Sequence, residues 1–161
     1  MIPSRSTYDG FSLVEVVVGA GIVALVVTAI ATAWTFYEKL ASQSARQAQA
    51  DLLVEEGAEI VQYWRDKSWD NTIGILTTGT AYYLYWDGID YKATTSPTTS
   101  NGYLRTIVFS DVQRDGSDNI STTGTTDTNT RLATITVTTN STSSPAMIMQ
   151  AQTLVHDMFA N

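Results

Sequence analysis

From Phe11 to Trp34 the chain reads FSLVEVVVGAGIVALVVTAIATAW, apolar at almost every position and interrupted by a single charge, Glu15. Coiled as a helix, this run rises about 36 Å, enough to cross a hydrocarbon core of about 30 Å. Beyond it the pattern changes period without breaking. Tyr37, Leu40, Ala41, Ala45, Ala48, Leu52 and Leu53, then Ile60, Val61 and Trp64, recur every three to four residues. Lys39, Gln43, Arg46, Gln49, Asp51 and Glu55 fall on the other face. This spacing predicts one helix continuing to about Asp66 with one side buried.

From Asn71 onward the alternation has period two. Ala81 to Trp86 and Ile89 to Ala93 flank Asp87-Gly88, which predicts a hairpin with a two-residue turn. Tyr103 to Val112, Leu132 to Asn140 and Met147 to Phe159 supply three further strands rich in β-branched and aromatic residues. Ile107 with Phe109, and Ile135 with Val137, are expected to face the helix. Thr94 to Gly102 and Asp115 to Thr130, dense in Ser, Thr, Asn, Asp and Gly, read as surface loops. The fold class expected is α+β, a long N-terminal helix packed on an antiparallel sheet of four to five strands.

The apolar segment itself admits three readings. Ala29-Ile30-Ala31 and Ala31-Thr32-Ala33 have the small-residue form of signal-peptide cleavage sites, but Glu15 interrupts the stretch before them. An ordinary signal anchor is the second reading; Arg5 before the span and Lys39 and Arg46 after it set no orientation. The third rests on Gly10-Phe11-Ser12-Leu13-Val14-Glu15. This hexapeptide, followed at once by the apolar run, closely resembles the processing and assembly motif of type IV prepilins and of type II secretion pseudopilins. The stretch EEGAEIVQYWRDKSW, Glu55 to Trp69, also resembles, more loosely, pilin-like proteins of small-genome bacteria.

The resemblance implies a division of labour along the chain. Residues 1–10 would be a leader and 11–35 the transmembrane and filament-core half of the helix. Residues 36–68 would be its amphipathic half and 69–161 a β-rich head, with Trp64 and Trp69 as packing anchors. It implies cleavage between Gly10 and Phe11 by a prepilin peptidase that also methylates the new amine, then assembly by inner-membrane machinery into an extracellular homo-oligomeric filament. In that filament the Phe11 amine would pair with Glu15 of a neighbour. Motility, adhesion, DNA uptake and secretion all use this architecture. Two departures from major pilins stand out: Thr32 where many carry Pro, and a leader whose one Arg5 is offset by Asp9. Minor pilin and pseudopilin therefore remain open beside major pilin.

Physical chemistry supplies reasons for these residues. Gly10 lets the backbone enter a protease cleft closely, although Asp9-Gly10 is also an ordinary turn. A carboxylate at the bilayer centre costs about 2.5–3.5 kcal/mol, so an intramembrane Glu needs a partner or a shallow position. Ser12-x-x-Glu15 is also a capping box, and both roles can coexist. Gly19 and Gly21 permit close helix approach.

Composition narrows the alternatives. The chain has 161 residues, room for one domain with a core. With 16 acidic against 9 basic residues, its net charge of −7 offers no basic patch for nucleic acid. It has no cysteine, hence no disulfide framework or thiolate metal site. No cofactor is implied. Asp115, Asp118 and Asn119 are a weak calcium candidate without EF-hand spacing. Asn119-Ile120-Ser121 and Asn140-Ser141-Thr142 match the glycosylation sequon, and no catalytic pattern is signalled around His156, the single histidine. The expectation is a structural subunit and not an enzyme, the competing reading being a signal-anchored extracellular binding protein.

Overall fold

In the computed structural model, residues 12–139 and 147–159 are described. One helix, α1, covers Leu13–Lys67. Gly19, Gly21 and Thr32 do not interrupt it. The chain divides into two compact units, Met1–Ser44 and Ala45–Asn161. Residues 45–67 of α1 fall in the second unit together with the strands.

In the second unit a short 3-10 turn over Ile73–Ile75 follows the helix. The strands are β1 (Ala81–Trp86), β2 (Tyr91–Thr94), β3 (Thr99–Ser100), β4 (Tyr103–Arg114), β5 (Ile120–Ser121), β6 (Thr125–Thr139) and β7 (Met147–His156). All pairs are antiparallel, in the order β2-β1-β4-β6-β7, with the two-residue β3 and β5 added to β4. The α+β class stands, with five strands on the main path and seven among the described residues.

The core forms where α1 crosses the sheet. Ala50, Val54, Gly57, Ile60, Val61 and Trp64 are its buried residues. They meet Tyr82 and Leu84 of β1, Ile107 and Phe109 of β4, Ala133, Ile135 and Val137 of β6, and Val155 of β7. Ile107, Phe109, Ile135 and Val137 are all fully buried, as the alternation required. Trp64 and Trp69 are buried too, and the Trp64 indole donates to the Tyr91 carbonyl at 2.9 Å.

Several expectations are corrected. The buried helical stripe starts at Ala50; Tyr37, Leu40 and Leu52 are exposed. Its members include Ala50 and Gly57, small residues that a search for large apolar side chains passes over. The β1–β2 turn spans four residues, since Trp86 pairs with Tyr91. Asp87 closes it by accepting from the backbone N–H groups of Ile89 (2.9 Å) and Asp90 (2.7 Å), while Gly88 takes φ 99°. Thr94 to Gly102 contains β3, and Asp115 to Thr130 contains β5 and the beginning of β6. These residues read as loop, but Thr99, Ser100, Ile120, Ser121 and Thr125 to Asp127 each lie opposite a β4 residue whose backbone groups need partners. The β4–β6 register shifts after Asp111, so residues 128–130 have no partner in β4. Burial along β4 changes phase at the same point, and Val112 is buried in place of Asp111.

Candidate membrane and assembly segment

Every described residue from Ser12 to Gln49 is exposed. Among them are Leu13, Val14, Val16, Val17, Val18, Ile22, Val23, Leu25, Val26, Val27 and Ile30. Water-soluble monomers rarely expose so long a run of aliphatic side chains. By length and composition this helix can cross a membrane. The two threonine hydroxyls within the run are satisfied inside it: Thr28 Oγ1 donates to the Ala24 carbonyl and Thr32 Oγ1 to that of Thr28, each at 2.8 Å.

Glu15 lies in the first turn of α1, where its charge favours the helix dipole. Ser12 immediately precedes the helix and its carbonyl accepts from Val16 N–H at 3.2 Å. Among the described residues neither side chain has a hydrogen-bond or ion-pair partner, so the capping box is present in position but not in bonding. The Glu15 carboxylate is thus exposed and unpaired. Gly10 and Phe11 lie outside the described residues, as does Asn140-Ser141-Thr142. Added Cβ atoms at Gly19 or Gly21 would meet nothing within 4 Å.

The calcium candidates Asp115, Asp118 and Asn119 lie in one turn, where Asp115 and Asp118 line a shared cleft. Asp115 Oδ1 accepts from the backbone of Ser117 (2.8 Å) and Asn119 (3.0 Å), closing its own turn. Those donations hold its carboxyl below the ordinary range. Asp118, at φ 65°, points outward with its carboxylate 3.6 Å from Arg114 Nε. Among the described residues no three His, Asp or Glu side chains gather as a metal set. Asn119 is exposed in this turn.

Three polar clusters in the head went unnoticed in the sequence. Arg105, buried on β4, donates to Glu56 Oε2 (2.8 Å) and to the Leu53 carbonyl (2.9 Å), and the Tyr91 hydroxyl donates to Glu56 Oε1 (2.8 Å). The signal was there: Arg105 shares the parity of Tyr103, Ile107 and Phe109, so an arginine on that face requires an acid opposite. Arg131 Nη1 donates to the carbonyls of Ile73 (2.7 Å) and Leu76 (2.5 Å), and Nη2 to that of Gly74 (3.3 Å). Arg114 Nε donates to Asp127 at 2.6 Å, and the buried Thr130 hydroxyl sits 2.9 Å from His156 Nδ1. His156 is therefore part of a strand-end network.

A cleft of about 450 Å³ lies by the end of α1, lined in part by Trp64, Tyr91, Lys67, Asp90 and Asn71. Several of its polar groups are engaged with one another. Lys67 pairs with Asp90, Asn71 Nδ2 donates to Ser68 Oγ, and Thr72 Oγ1 donates to the Trp64 and Ser68 carbonyls. The arrangement pairs no nucleophile with a base. The chain matches no family model, no curated protein and no solved structure.

Proposed function

We propose that the chain is the structural subunit of a type IV pilus or related filament, without catalysis of its own. The precursor sits in the inner membrane with its leader cytoplasmic, and a prepilin peptidase cuts between Gly10 and Phe11. The exposed helix then passes from lipid into a filament core, leaving the acidic heads outside. The single observation that carries the reading is Glu15: an exposed, unpaired carboxylate in the first turn of a bare apolar helix. A charge so placed asks for a cation, and a freed Phe11 amine on a neighbouring copy would supply one. An ion pair of this kind need not add net stability. It selects the correct docking height, because one buried charge left alone costs about 3–5 kcal/mol. Thr32 in place of the Pro common in major pilins keeps minor pilin and pseudopilin within the proposal. Copy number in a purified filament separates them.

The test is the intact mass and N-terminal sequence of the protein from native cells. A chain starting at a methylated Phe11 is the expected result. A start near Thr32 or Trp34 would mean a cleaved signal peptide and would end the filament reading.

A further inference from the structure

We infer that the cleft between the end of α1 and the β1–β2 hairpin is a binding site for a neutral saccharide. The site lies wholly within the second unit, and the inference goes beyond the filament reading without depending on it.

The walls of the cleft are aromatic and already fixed in place. Trp64 is held by its indole bond to the Tyr91 carbonyl at 2.9 Å, and the Tyr91 hydroxyl by its bond to Glu56 at 2.8 Å. Trp86 packs edge-on against the Tyr91 ring, their centroids 5.1 Å apart. Tyr85, which also lines the cleft, is 42% exposed and Trp86 56%, so the core leaves much of both rings uncovered. Rings fixed before a ligand arrives cost little further entropy on binding. Their faces offer a flat apolar surface to C–H groups.

Around these rings stand polar groups with bonding capacity to spare. Asn71 Nδ2 donates to Ser68 Oγ at 2.9 Å, while Asn71 Oδ1 has no partner among the described residues. The Tyr85 hydroxyl has none there either. The Lys92 ammonium carries three donors and stands 3.8 Å from Asp87 Oδ2, too far for a hydrogen bond. An acceptor, a hydroxyl and a charged donor therefore border one cleft, each open to a ligand.

The ligand class follows from the charges. Lys67 is matched by Asp90 and Lys92 by Asp87, so the cleft offers no surplus charge to an ion. The net charge of −7 works further against an anion. A wholly apolar ligand would strip water from Asn71, Lys92 and Asp90 without replacing its hydrogen bonds. A pyranose ring meets both demands. Its C–H faces suit the Tyr85 and Tyr91 rings, and its hydroxyls can donate to Asn71 Oδ1 and accept from Lys92 Nζ. A volume of about 450 Å³ is within the range of small-molecule sites.

The test uses full-length protein in phosphatidylethanolamine/phosphatidylglycerol nanodiscs, free of glycoside detergents that would compete. Saturation-transfer NMR is run with cellotriose, maltotriose, chitotriose and mannotriose, and with trigalacturonate as the acidic counterpart. The expected result is saturation of the ring C–H protons of at least one neutral trisaccharide, with affinity falling about tenfold in Tyr85→Ala. Lys92→Met, which keeps the aliphatic stem, should also weaken binding, so that the loss does not hang on one variant of the hairpin. Phe159→Ala removes an exposed ring outside the cleft and should bind as the wild type does. Silence from all four neutral trisaccharides would overturn the site. Equal saturation in wild type, Tyr85→Ala and Lys92→Met would overturn its place in this cleft, and preference for trigalacturonate would overturn the neutral class. A native chain cut near Thr32 would end the filament reading and leave this result standing; failure to bind saccharide would leave the filament reading untouched.

Discussion

Arg105 Nη1 donates to Glu56 Oε2 at 2.8 Å, joining the central strand β4 to the helix across a boundary where the Arg105 side chain is only 8% exposed. Burial alone would push the Glu56 carboxyl up. The bonds from Arg105 and Tyr91, together with the Arg105 charge, outweigh burial and hold it below its ordinary value. Arg105 Nε is buried and has no acceptor among the described residues, so the pair is imperfectly satisfied. Glu56→Gln leaves a buried guanidinium without its counter-charge; since Glu56 is partly exposed, the expected loss is about 1–3 kcal/mol. The double variant Glu56→Leu with Arg105→Met should recover most of that loss, because no charge remains to be desolvated. Urea unfolding of the four proteins in a two-by-two cycle measures the coupling.

Acid should weaken the head through a small set of aspartates. Hydrogen bonds from Thr130 and Arg114 lower the Asp127 carboxyl to about 2. Asp87 and Asp115 are lowered by backbone N–H groups and Asp90 by Lys67. A carboxyl lowered on folding stabilises the native state above its unfolded value. That contribution disappears as pH falls through the folded value, here a window from about 4 to about 2. Thermal unfolding of the wild type should fall steeply across that window. Asp127→Asn should start lower at neutral pH and meet the wild type near the acid end. Parallel curves would show that Asp127 contributes no linkage.

At Gly57 the helix lies close against the sheet. A Cβ built there would lie 2.9 Å from Ile135 Cγ2 and 3.2 Å from Arg105 Cδ. Alanine gains about 1 kcal/mol in helix propensity, but displacing a fully buried branched side chain costs about 1–3 kcal/mol. Gly57→Ala should be neutral to destabilising, and Gly57→Leu strongly destabilising. Gly116→Ala, with open space around it, serves as the control. A stabilised Gly57→Leu protein would mean that the helix stands further from the sheet.

Arg131 fastens the turn that follows the helix through three carbonyls. Arg131→Met keeps the aliphatic stem and removes the donors, and the expected cost is about 2–4 kcal/mol, since charged donors are lost from partly buried acceptors. Limited proteolysis should then cut between Thr72 and Gly79 in the variant well before it cuts the wild type. Equal cutting rates would place the strength of that turn elsewhere.

Assembly should depend on the charge of Glu15 and not on its bulk. Loss of a paired buried charge at about 3–5 kcal/mol corresponds to at least a hundredfold in docking. Glu15→Gln and Glu15→Lys precursors should accumulate in the membrane fraction while sheared filaments vanish. Filaments at wild-type yield from Glu15→Gln would remove the ion pair from the proposal.

The sequence by itself determined the apolar helix, the five longer strands and the faces of Ile107, Phe109, Ile135 and Val137. Each of these is a local periodicity, and one side chain in two or in three to four states its own direction. It also exposed Glu15, because a lone acid in an apolar run is conspicuous wherever it lies. Tertiary structure alone decided where burial begins on the helix, since Ala50 and Gly57 are selected by the nearness of the sheet and not by their own hydrophobicity. It decided that the polar stretch before Arg131 completes β6, because β4 presents backbone groups that must be paired. It alone joined Arg105 to Glu56 and Arg131 to the carbonyls after the helix, partners about fifty to sixty residues apart in sequence. Periodicity reports which way a residue faces; only the packed chain reports what it meets there.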